Sequence, residues 1–155
     1  LFGVSRNRRN GYSRNGASPR AFGETGSKTD FRFGKRDGGR LMQNLDVECA
    51  KLGRELARLD KDDKTLTRAL GVLEEQGTYA CFLFLHTQDA GSQVSAELAG
   101  FLRKVPAESP LLGDGEIFTA LQALAGDLDQ LLFARDLLRQ ALIYGRYHAK
   151  GANAQ

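Results

Sequence analysis

The sequence has no long apolar run, only two histidines and only two cysteines, and each shortage removes a class of protein. The longest apolar stretch, Tyr79 to Leu85, falls far short of the roughly 20 residues a helix needs to cross a bilayer. No apolar run near Leu1 carries the flanking charges of a signal peptide. A soluble, cytoplasmic protein with no membrane partner is expected. Because Leu1 is not an initiator residue, the start is expected to be processed or cut from a longer polypeptide. Cys49 and Cys81 each occupy an apolar position of a helical pattern, where a free thiol acts as a small buried hydrophobe. Free thiols in a reducing compartment are expected, with a disulfide as the alternative.

His86 and His148 have no Cys, His or acid at ligand spacing on the same helical face, which removes a zinc motif. Gly113-Asp-Gly-Glu116 lacks the alternating oxygen ligands of a calcium loop and the Gly-Lys-Ser/Thr of a phosphate loop. It is expected to be a turn and helix cap. Asp62-Asp63 and Glu74-Glu75 are sequence neighbours, about 100° apart on a helix, and suggest solvated surface. With no nucleophile–base pair, carboxylate pair or metal cluster, the expectation is a binding protein that has no catalytic residues, no metal and no cofactor.

What is present divides sharply by charge. Residues 1–40 hold eight Arg and two Lys against Glu24, Asp30 and Asp37, a net of +7. The remainder holds twelve basic and sixteen acidic side chains, a net of −4. A basic arm dotted with Phe and Tyr suggests an anionic partner, nucleic acid above all. The first forty residues also hold eight Gly, and their aromatics follow no period. Such a segment buries too little apolar surface to offset chain entropy, so residues 1–41 are expected to be a disordered or extended arm or linker.

From Leu45 the pattern becomes helical. Leu45, Cys49, Leu52, Leu56 and Leu59 fall on one face, with Asn44 as N-cap and Asp46 and Glu48 near the positive end of the dipole. A second helix is expected from about Lys64 to His86, with Leu66, Leu70 and Leu73 leading into Tyr79–Leu85. That last stretch is apolar all round, which predicts the most buried segment of the fold; a strand is the alternative there. Asp89-Ala-Gly-Ser92 is a turn. A third helix is expected over about Gln93–Lys104, with Val94, Leu98, Phe101 and Leu102 inward. Pro106 and Pro110 bracket a loop. A fourth helix carries Ile117, Phe118, Leu121 and Leu124, and a long closing helix capped by Asp127 runs to about Lys150, with Phe133, Leu137, Leu138, Ala141 and Tyr144 inward. The fold class is all-α: a small bundle of about five helices over residues 42–155.

Two basic stripes stand out. On a helical wheel Lys51, Arg54, Arg58 and Lys61 lie within about 80°, opposite the leucine face and with no acid among them. Their steps of about 5 Å along the axis suit an extended phosphate backbone. On the closing helix Arg135, Arg139, Arg146 and Lys150 lie within about 60°. The alternative is a solvated face joined by the i,i+4 pairs Lys51–Glu55, Arg58–Asp62 and Asp60–Lys64. Neither stripe contains Asn, Gln or stacking aromatics, so base reading is not expected.

The order of elements also resembles a family. A leucine-striped first helix is followed by Leu73-Glu-Glu-Gln-Gly-Thr-Tyr-Ala-Cys-Phe-Leu-Phe-Leu85, then Leu98-Ala-Gly-Phe-Leu102, then the long segment from Asp127 to Lys150. Over residues 42–150 this resembles the helical small subunit of type III CRISPR effector complexes, in helix order and character. The resemblance implies a non-catalytic subunit of an antiviral ribonucleoprotein, stacked beside the guide–target duplex. Such subunits touch the guide or target backbone through basic surface residues and also touch neighbouring effector subunits. In this sequence the basic positions that fit are the eight of the two stripes. Residues 1–41 depart from the pattern. Met42 sits where an independent small subunit would begin, and Leu1-Phe-Gly3 resembles a short phrase of the backbone subunits, as a fused effector polypeptide would contain. The alternative function is a helical protein–protein adaptor with no nucleic-acid contact.

Residues 42–150 expressed alone are expected to melt cooperatively with a strongly helical far-UV spectrum. Charges placed at Leu56 or Leu83, both expected in the core, should destabilise the domain by several kcal/mol. A spectrum dominated by strand would end the bundle assignment.

Overall fold

The computed structural model describes residues 43–154; the basic arm and the boundary at Met42 lie outside them. Among the described residues the chain forms six helices and no strand: α1 (Leu45–Leu59), α2 (Lys64–Gln76), α3 (Thr78–His86), α4 (Gly91–Leu102), α5 (Ile117–Leu124) and α6 (Leu128–Asn153). The all-α bundle expected from the leucine spacing is therefore present, with one helix more.

The extra helix comes from Gly77. Its backbone, at φ 96° and ψ −177°, adopts a conformation open to glycine and few other residues, and its N–H donates to the carbonyls of Leu73 and Val72. The expected helix from Lys64 to His86 is thus cut into α2 and α3 at a sharp corner. The strand alternative for Tyr79–Leu85 is not adopted.

That corner also corrects the burial of the apolar stretch. Thr78, Cys81, Phe82 and Leu85 are buried, but Tyr79 and Leu83 are 43% and 52% exposed. A nine-residue helix with no polar side has nothing in its sequence to choose the inward face; the direction imposed by Gly77 chooses it. Leu56 is fully buried whereas Leu83 is not, so a charge at Leu83 is now expected to shift stability by no more than about 0.5 kcal/mol. Phe133, expected inward on α6, is 38% exposed.

The long α6 is the spine. Cys49 Sγ donates to the Leu137 carbonyl, Gly53 meets Tyr144 and Gly145, and Asn153 Nδ2 donates to the Lys61 carbonyl. Numbers rise together, so α1 runs parallel to the second half of α6. The α2 helix runs the other way, with Leu66 against Gly145 and Leu73 against Arg135. Leu52, Leu56, Leu66, Leu73, Phe82, Leu98, Leu102, Leu138 and Leu142 fill the shared core. Each large apolar side chain buried in this way contributes roughly 1.5–3 kcal/mol relative to exposure.

The α1–α6 contact depends on missing side chains. A Cβ at Gly53 would lie 2.5 Å from Tyr144 Cβ and 2.8 Å from the Gly145 nitrogen. At Gly145 it would lie 3.3 Å from Leu56 Cβ and 3.4 Å from the Gly53 carbonyl oxygen. Two glycines facing each other let the backbones approach more closely than a pair of leucine-covered helices. Tyr144 then reaches back to donate its hydroxyl to Asp46 at 2.6 Å, and this bond to a carboxylate raises the phenol above its usual range.

The caps were legible in the sequence. Asn44 accepts from the amides of Asp46 and Val47, and Asp127 from Gln130. The Gly113–Glu116 segment is a turn and cap: Glu116 accepts from the amides of Phe118 and Thr119, and these bonds lower its carboxyl below the ordinary value. Arg103 fixes the same turn by donating to the Gly113 and Gly115 carbonyls at 3.1 and 2.7 Å. Asp60 departs from expectation. It is buried and accepts from the Leu66 amide at 2.9 Å, while Lys64 lies nearest Asp62 at 3.9 Å. Both thiols are free and buried, pushed up by that burial to about 11 for Cys49 and about 12 for Cys81.

Gly53→Ala is expected to cost about 1–3 kcal/mol in urea melts, because the added methyl meets backbone that cannot yield cheaply. Gly100→Ala in α4 is the control. Nothing lies within 4 Å of its Cβ position, so relief of glycine's entropy should stabilise by about 0.5–1 kcal/mol. Equal behaviour of the two variants would refute the close-approach account.

Candidate nucleic-acid interface

Lys51, Arg54, Arg58 and Lys61 are all exposed, the first three on the side of α1 away from the core. Lys61 does not continue their row as the wheel expects: α1 ends at Leu59, the backbone leaves helical torsions at Asp60, and Lys61 lies in the turn that follows. Two of them are engaged on their own helix. Lys51 Nζ lies 2.8 Å from Glu48, and Arg58 Nη1 lies 2.9 Å from both Glu55 oxygens. These are i,i+3 pairs, which replace the expected Lys51–Glu55 and Arg58–Asp62 pairs. Exposed pairs of this kind contribute roughly 0–1 kcal/mol and exchange readily for another anion. Arg54 and Lys61 form no ion pair among the described residues.

The four cations of α6 divide into two functional halves. Arg135 donates through Nε to the Leu73 carbonyl at 3.3 Å and through Nη2 to the Glu74 carbonyl at 2.7 Å. Arg139 Nε lies 2.8 Å from Glu74 Oε1. Both therefore cover the C-terminal end of α2, where carbonyls with acceptor capacity to spare and the negative end of the dipole favour a cation. Glu74 is accordingly a fixed partner of α6 as well as a surface acid.

About two turns further on, Arg146 and Lys150 meet the other end of α2. With Asp63, Lys64, Thr67 and Arg68 they line an open cavity of about 360 Å³. Lys150 Nζ lies 3.7 Å from Asp63, and Arg146 Nε is shielded from solvent with no acceptor among the described residues. Asp63 holds a left-handed backbone at φ 53° as the N-cap of α2, and its side chain accepts no cap bond. It is partly buried, which corrects its expected place on the solvated surface.

Lys64 and Arg68 were not among the expected contact residues. A signal existed: they stand at i,i+4 with no acid three or four residues away that remains available, since Asp60 is committed to Leu66. Arg146 and Lys150 share that spacing. What one sequence could not supply is the antiparallel apposition of α2 and α6 that gathers the two pairs.

The chemistry this surface offers is attraction and hydrogen bonding to anions. Ser95 Oγ lies 3.4 Å from His86 Nε2, but Ser95 is only 3% exposed and the Glu116 carboxylate nearby is engaged by the α5 amides. His86 packs on the Phe118 ring at 5.1 Å. No group of three or more His, Cys, Asp or Glu positioned for a metal ion occurs among the described residues. No helix there is long and apolar enough to cross a membrane.

The two halves of the α6 stripe should separate in a stability assay. Arg135→Met removes charged donors from two α2 carbonyls and should cost roughly 1–2 kcal/mol. Arg146→Met removes a donor without an acceptor and should be neutral within about 0.5 kcal/mol or slightly stabilising. The reverse order in thermal or urea melts would overturn the division. Comparison of the chain with protein-family models, with curated proteins and with solved structures finds no match.

Proposed function

We propose that this helical domain is a non-catalytic small subunit of an RNA-guided effector of the type III CRISPR kind, holding the backbone of a guide or target strand and abutting neighbouring subunits. The observation that carries this reading is the exposed basic row Lys51, Arg54 and Arg58 on α1, at a spacing of roughly 5 Å that a phosphate backbone can follow, with Lys61 exposed in the turn just beyond it. Arg54 and Lys61 are the most available of the four. Lys51 and Arg58 join by exchanging Glu48 and Glu55 for phosphates. On α6, Arg146 and Lys150 are offered to a strand, whereas Arg135 and Arg139 act chiefly as supports for α2.

Exposed apolar side chains supply the second contact type. Tyr79 and Leu83 on α3, and Leu128 and Leu132 on α6, are large hydrophobics left at the surface. They suit neighbouring protein subunits, and they favour the second reading, an adaptor that binds proteins alone.

Salt dependence separates the two. If each of these four cations meets one phosphate, replacing Lys51, Arg54, Arg58 and Lys61 with Ala should lower the single-strand salt slope by about 0.7 per lost contact, near 3 for all four. Arg54 and Lys61 alone should account for about half. The loss should be alike for unrelated sequences, since phosphate contacts do not specify bases. An unchanged slope, in the isolated protein and in any complex that co-purifies with it, would refute strand contact by α1 and leave the adaptor.

A further inference from the structure

The structure assigns a phosphoryl-binding site to the cavity between the start of α2 and the end of α6, with Lys64, Arg68, Arg146 and Lys150 as its cations. Lys64 and Arg68 stand one helical turn apart on one wall, and Arg146 and Lys150 one turn apart on the other. Like charges at i,i+4 repel, and here two such pairs face each other around a single carboxylate, Asp63. That leaves the lining at a net +3, which an anion would relieve.

Three details distinguish this cluster from ordinary surface lysines. The ion pairs within it are long, 3.9 Å for Lys64–Asp62 and 3.7 Å for Lys150–Asp63, so the ammonium groups are held loosely. Arg146 Nε finds no acceptor among the described residues, although Arg135 and Arg139 on the same face are engaged by α2. The first turn of α2 opens beside the cavity; the Asp63 side chain caps none of its amides, and the buried Asp60 carboxylate accepts from the Leu66 amide alone. Thr67, whose hydroxyl lies 3.4 Å from Asp63 Oδ2, contributes a neutral donor. At about 360 Å³ the cavity sits at the lower end of ligand clefts, which run to about 300–1,000 Å³. It suits a phosphoryl group with part of its substituent.

The ligand chemistry is one phosphoryl group, free or borne on a nucleotide strand. It shares Arg146 and Lys150 with the proposed strand surface, but it does not require the α1 row. The full-length protein is titrated with inorganic phosphate, with chloride at matched ionic strength as control, while NMR follows the Arg146 Nε–H and the Lys64 and Thr67 amides. Saturable shifts with phosphate alone are expected, weakened at least tenfold in both Arg68→Gln and Arg146→Gln. Non-saturating shifts, an equal response to chloride, or an unchanged response in both variants would overturn the site. Displacement of bound phosphate by a short unphosphorylated single strand would assign the site to backbone phosphates, and retention would assign it to free phosphate or a mononucleotide. The α1 alanine variant, expected to bind phosphate normally, keeps a failure of the strand surface distinct from a failure of this site.

Discussion

Gly53 and Gly145 bring the backbones of α1 and α6 into contact, and the seat of α2 depends on that crossing. Because no side chain separates them, Leu56 can reach Gly145 from one side and Leu66 from the other. This brings α2 onto the same stretch of α6, antiparallel to it, and the Gly77 corner then carries α3 across the core. The crossing also sets the charged surface. It directs the basic row of α1 outward and places the start of α2 beside Arg146 and Lys150. A bulkier residue at either glycine would displace the element that gathers these cations as well as the core beneath them.

The cations themselves illustrate how little a charge count says about availability. On the closing helix four residues of one sign fall within a narrow arc of the wheel. Two are bound to the end of α2 and two stand beside a cavity with one carboxylate among them. The determinant is the local inventory of acceptors. Helix C-termini present free carbonyls and helix N-termini present free amides, and an antiparallel neighbour offers one of each to opposite ends of the same stripe. An identical row beside a parallel neighbour would be sorted the other way round.

Much of the fold was legible in the sequence because the relevant physics is local. The leucine spacing of α1, the caps at Asn44 and Asp127, and the inward set Val94, Leu98, Phe101 and Leu102 rest on periodicity and on side-chain-to-amide bonds within three residues. The misassignments share the opposite property. The break at Gly77 depends on a backbone torsion that a single glycine permits without announcing. The exposed face of α3, with Tyr79 and Leu83, follows from the direction that the Gly77 corner imposes, and the exposure of Phe133 from tertiary packing that the helical pattern does not carry. Asp60 resembles a surface acid in sequence, yet it is buried to hold the Leu66 amide six residues on. Of the candidate interface, the α1 row could be read on a wheel. The Lys64–Arg68 wall could not, since half of its surroundings come from residues about eighty positions away.

The two buried thiols turn this arrangement into an instrument. Both are held far above neutral pH in their ionisation, and each donates to a carbonyl across a different seam: Cys49 to Leu137 between α1 and α6, Cys81 to Ala69 between α3 and α2. Both thiols are buried, so a thiol reagent reaches either one only after its seam has parted, and the scarce thiolate slows the reaction further while it is closed. The rate of alkylation at each position therefore clocks the opening of that seam. With no other cysteine in the sequence, mass spectrometry of unmodified protein can read both, and any cysteine introduced at the surface would label long before either.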